Sequence, residues 1–66
     1  MRRKATIYHE MLLGNSYSNE EAIAMRDHFK MTADLCYDLG PRFILAALEA
    51  DYQYTRLKDV CVARGI

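Results

Sequence analysis

The sequence predicts an all-α fold: a small helical hairpin with an N-terminal helical arm, two copies of which pair into a helical bundle. Three observations predict it. Two stretches of about twenty residues carry apolar positions at alternating steps of three and four, the period of one helical face. A capping-box pattern precedes the first of them. Gly40-Pro41 separates the two, as a helix stop followed at once by a helix start.

The arm comes first. Ala5, Tyr8 and Leu12 share a helical face, with Ile7 and Met11 beside it, and Gly14-Asn15 ends the pattern. Thr6-Ile7-Tyr8 also has strand character. Arg2, Arg3 and Lys4 stand at the helix end where cations are disfavoured. A short helix over 4–13 is expected, because a lone strand has no sheet to join.

The middle segment has the clearest start. Ser18 precedes Glu21 by three residues, so each side chain can bond the other's backbone N–H. Tyr17 and Ala22 occupy the staple positions around it. Glu20 and Glu21 put negative charge on the positive helix end. Ala22, Met25, Phe29, Ala33, Cys36 and Leu39 then form one stripe, predicting a helix over 19–39.

Pro41 suits the first position of the next helix. Phe43, Ala47, Ala50, Tyr54, Leu57 and Cys61 form its stripe, widened by Ile44, Leu48 and Val60. Arg64 suits the negative end and Gly65 the cap beyond it. A helix over 41–64 is expected, with Asp51-Tyr52 as the place for a bend. Ala46, Ala47 and Ala50 let helix backbones approach closely.

Length bounds the rest. The 66 residues make one domain, of a size at which a single core is marginal. Pairing of two chains is the expected source of extra burial, with a three-helix monomer as the competing arrangement. Hydrophobic residues make up 52%, too many for a disordered tail. The longest uncharged apolar run is Phe43 to Leu48, far below the roughly 18 residues of a membrane span. The basic start is followed by His9 and Glu10 rather than an apolar stretch, so it is not read as a signal peptide. A cytoplasmic protein without a membrane partner is expected.

Chemistry-bearing residues are sparse. Cys36 and Cys61 fall on apolar faces and read as buried free thiols. His9 and His28 have no metal-ligand spacing to each other or to the cysteines. Gly14, Gly40 and Gly65 are scattered, so no phosphate loop exists. His28 flanks the apolar stripe and reads as half-buried. The expectation is a non-catalytic protein with no cofactor and no metal.

Charge is more informative in its distribution than in its sum. Lys plus Arg equals Asp plus Glu at nine each, which argues against a surface that attracts nucleic acid everywhere. Residues 1–14 are net positive, 15–40 net negative and 41–66 slightly positive. Glu20, Asp27, Asp34 and Asp38 recur at seven, seven and four, an acidic strip along one face of the middle helix. Lys30 stands four residues before Asp34 and can offset part of it. Tyr37 and Tyr52 should lie at the edges of the apolar stripes, where tyrosine suits an interface.

The function expected from these residues is a helical module that binds a larger protein as inhibitor or adaptor. Glu20, Asp27, Asp34, Asp38, Tyr37 and Tyr52 are its contacts. By analogy of size, small accessory proteins of phages or mobile elements look like this. The alternative is a dimeric nucleic-acid-binding regulator whose basic patch gathers Arg2, Arg3, Lys4, Arg42 and Arg56.

Residues Leu57-Lys58-Asp59-Val60-Cys61-Val62-Ala63-Arg64-Gly65-Ile66 resemble the first helix and turn of a lactose-repressor-type helix-turn-helix. The small Cys61 and the Gly65 four residues later match that motif's spacing. The likeness spans these residues only and includes no recognition helix for a major groove. No family follows from it.

Overall fold

The computed structural model describes residues 3–14 and 16–66, and the backbone alone of Lys4 and Ala5. Among the described residues the chain is all-α, with three α-helices, one short 3-10 turn and no strand. Helix α1 spans Lys4–Gly14, α2 Asn19–Leu39 and α3 Ile44–Arg64, with the 3-10 turn at Pro41–Phe43.

The start of α2 is held by its capping box. The Glu21 N–H donates to Ser18 Oγ at 3.1 Å, and the Ser18 N–H donates to Glu21 Oε1 at 2.9 Å. Two N–H groups with no helical partner are thereby satisfied. The chain leaves α2 through Gly40 at φ 112°, a conformation that side chains oppose.

The expected helix over 41–64 differs in its first turn. Gly40 delivers the backbone at an angle that Pro41–Phe43 follow by tightening into 3-10 geometry, which Pro41 tolerates as readily as an α-helical start. The Phe43 N–H donates to the Gly40 carbonyl at 3.1 Å. From Ile44 the α-helix runs through Asp51-Tyr52 without interruption. It ends in a Schellman turn. Gly65, at φ 77°, donates to the Val62 carbonyl at 3.1 Å, and the Ile66 N–H donates to that of Cys61 at 2.9 Å.

Helix α3 runs back along α2. Lys30 meets Tyr54 near the middle, and Arg64 at the end of α3 reaches Tyr17 and Asn19 at the start of α2. Ala22, Met25, Phe29 and Ala33 of α2 are buried, as are Ala47, Ala50, Leu57 and Cys61 of α3. Four of these eight are alanines, which lets the backbones approach. Leu12 of α1 completes the cluster, with Tyr8, Met11, Tyr17 and Tyr54 packed partly buried against it.

Both predicted stripes are therefore buried within one chain over most of their length. They fail near the turn. Cys36 is half-buried, and Leu39, Phe43, Ile44 and Leu48 are exposed. The physical reason is the placement of α1. Its rings pack on His28 and Phe29, midway along α2, and its Leu12 joins Met25 and Leu57. The result is a thin body, 34 × 29 × 15 Å between Cα extremes.

Candidate functional site

The register that the capping box sets for α2 decides what its outer face presents. With Ala22, Met25, Phe29 and Ala33 turned inward, Glu20, Asp27, Asp34 and Asp38 all emerge on the far side, and all four are exposed. Steps of seven return to nearly the same face after two turns. Asp27 carries the Nε of its neighbour Arg26 on Oδ1 at 3.3 Å, an exposed pair of little energetic weight. Lys30, expected beside Asp34, sits instead over the Tyr54 ring at 5.8 Å.

The two tyrosines lie on different helices. Tyr37 is exposed on α2, about 100° around the helix from its neighbour Asp38. Tyr52 is 66% exposed on α3, on the same outer face as Leu45 and Leu48. The acidic strip and the tyrosines thus form no single patch.

Sequence reasoning missed a second apolar stripe on α2. Ala24, His28, Met31 and Leu35 follow at steps of four, three and four, adjacent to the acidic strip. With Tyr8 of α1 and with Asp27 they line an open groove of about 550 Å³. Met31 is 72% and Leu35 60% exposed. The signal was present in the spacing. The longer core stripe through Phe29 absorbed the same helix and hid it.

One wall of that groove is aromatic. The Tyr8 ring meets His28 edge-on at 5.0 Å between centroids, and His28 meets Phe29 at 5.2 Å. His9 adds an edge contact to Phe29 at 5.8 Å. Such contacts each contribute about 0.5–1.5 kcal/mol beyond area burial. They hold α1 against α2 where few backbone atoms come close.

The expected basic patch gathers its cations across two copies, and within one chain they are spread out. Arg2 and the side chain of Lys4 lie outside the described residues. Arg3, Arg42 and Arg56 are exposed, at the start of α1, in the 3-10 turn and on α3. Arg42 and Arg56 stand about 21 Å apart along the chain's helical rise. The cations that do converge are Arg26, Lys30 and Lys58, which line a groove of about 310 Å³ between α2 and α3 together with Tyr54 and with Asp27, the partner of Arg26.

Cys36 and Cys61 are free thiols. Among the described residues no group of three or more His, Cys, Asp or Glu is placed to hold a metal ion. No described helix is long and apolar enough to cross a membrane. No family model, curated protein or solved structure matches this chain.

Proposed function

We propose that the chain is a non-catalytic helical module that binds a larger protein, as inhibitor or adaptor, and acts in the cytoplasm as a dimer of helical hairpins. The observation that carries this reading is the large apolar side chains left exposed after the core has closed. Met31 and Leu35 stand out on α2, and Leu45, Leu48 and Tyr52 on α3. Contiguous exposed apolar surface is the usual mark of a docking face.

The α3 face suits a second copy. Leu45, Leu48 and Tyr52 carry no run of one charge beside them: Arg42, Glu49 and Arg56 alternate in sign. Light scattering over a range of concentration and salt tests this. A mass of twice 7.7 kDa is expected. Leu45→Glu with Leu48→Glu should return it to 7.7 kDa, and a native chain that stays at that mass overturns the dimer.

The acidic strip is tested by capture. The native chain and the Asp27→Lys, Asp34→Lys, Asp38→Lys variant are used as baits on the same extract. A protein held by the native chain and lost by the variant is expected. Identical captures overturn the strip as a contact.

A second reading rests on the groove of Arg26, Lys30 and Lys58 beside Tyr54. It is a nucleic-acid contact, with the cations on phosphate. Binding of duplex or single-stranded probes that weakens with salt and is lost in Lys30→Glu, Lys58→Glu supports it. Salt-independent or absent binding removes it.

A further inference from the structure

We infer that the groove on the outer face of α2 receives an amphipathic helix of a partner protein, apolar on the seated face and basic on the edge beside Asp27 and Asp34. This deepens the protein-binding reading above and rests on it.

Three observations lead there. The floor is a helical stripe, Ala24, Met31 and Leu35, with the Tyr8 ring as one wall. From Ala24 to Leu35 it runs about 16 Å, three helical turns, which matches the i, i+3 or i+4, i+7 anchors of a helix laid in a groove. Its exposed side chains are large and flexible. Met31 in particular adapts to a partner's shape.

The edge is charged with one sign. Asp27 lines the groove itself, and Asp34 and Asp38 continue the same flank toward the turn, each exposed. Arg26 occupies Asp27 Oδ1, and Lys30 is turned to Tyr54. The carboxylates of Asp34 and Asp38 therefore face solvent with no cation drawn onto them among the described ion pairs. A partner helix with Lys or Arg along that edge is complementary, and one with Asp or Glu is opposed.

The same charges argue against a second copy as occupant. Two α2 helices packed antiparallel about a two-fold axis bring like flanks together. Asp27 and Asp34 of one chain would then face Asp27 and Asp34 of the other. The α3 flank carries both signs, so registers exist that set Arg42 or Arg56 of one copy against Glu49 of the other, and the two apolar faces divide between a copy and a partner.

The test uses the full chain and two designed peptides. Both are helical with a leucine stripe. One has lysine on both flanks and its twin has glutamate at the same positions. Binding is read by anisotropy of a fluorescein label, with helix content checked by circular dichroism. The lysine peptide is expected to bind at least about tenfold tighter than its twin, with the gap closing as salt rises. Met31→Glu and Leu35→Glu, at exposed positions, should each weaken it about tenfold or more, and Leu13→Glu, at an 88% exposed position of α1, should not. Asp27→Lys with Asp34→Lys should reverse the preference between the peptides.

Equal binding of both peptides overturns the inference, as does binding that ignores Leu35→Glu. Failure of both peptides to bind the native chain overturns it too. If the bait experiment still separates native chain from acid-reversed variant in that case, the protein-binding reading survives and only the helix-in-groove assignment falls.

Discussion

At the scale of single residues, ends matter more than middles. Ser18 and Glu21 fix where α2 begins, and through it which faces carry the acids and which the core. Ser18→Ala leaves the Glu21 N–H without its acceptor. It should lower stability by about 0.5–2 kcal/mol, read as a fall in urea midpoint with an unchanged slope. Arg64 does more than its position at a helix end foretold. Its Nη1 donates to the Tyr17 carbonyl at 3.0 Å and to Asn19 Oδ1 at 3.1 Å, and the guanidinium lies 5.0 Å from the Tyr17 ring centre. Dipole reasoning places a cation there. It does not say that the cation will reach across to another helix, because that depends on α3 returning to the start of α2. Gln53 shows the opposite case. Its Oε1 is buried with no hydrogen-bond partner among the described residues, and nothing in its sequence surroundings marks it.

At the scale of elements, local chemistry was legible wherever it acts locally. The capping box, the Gly40 stop and the Gly65 cap are each decided within a few residues, and α2 runs from Asn19 to Leu39 as its stripe predicts. The 3-10 turn at Pro41–Phe43 was not legible. Proline is equally at home at the start of either helix type. What selects the tighter one is the direction in which Gly40 delivers the chain. That makes Gly40 the position on which the reversal depends. No atom lies within 4 Å of a Cβ built there, so the obstacle to a side chain is backbone conformation and not space. Gly40→Ala should cost about 1–3 kcal/mol, measured by thermal or urea unfolding, with helix content before the transition retained. An alanine variant of undiminished stability would mean that the turn relaxes to another path.

At the scale of the whole molecule, burial and exposure divide leucines of one helix into two roles. Leu57 is fully buried in the cluster with Leu12, Met25 and Phe29, while Leu45 is 79% exposed. Leu57→Ala should cost about 2–5 kcal/mol. At dilutions where the chain is single, Leu45→Ala should shift stability by no more than about 0.5 kcal/mol, and it should cost more only where two copies pair. Equal effects would place Leu45 in a covered interface under the conditions used. The candidate faces were only half legible for the same reason. Acids at a fixed spacing announce a strip, because charge does not enter a small core unpaired. A second apolar stripe does not announce whether it faces inward, since Met31 and Met25 read alike until the neighbours are in place.

The reversal at Gly40 has a consequence for the order of events in folding. Contacts near the turn join residues close in the chain, whereas the bond from Arg64 to Tyr17 spans 47 positions. Closing a longer loop costs more entropy, about 0.6 kcal/mol for each doubling of its length. Pairing that starts at the turn lowers this cost step by step, so α2 and α3 assemble as a zipper with Arg64 as its last tooth. A chain dominated by such nested, local closures belongs with the fast-folding helical proteins. The same order run backwards makes the Arg64 end the first to open, and the buried thiol of Cys61, three residues before it, the first core group that opening would reach.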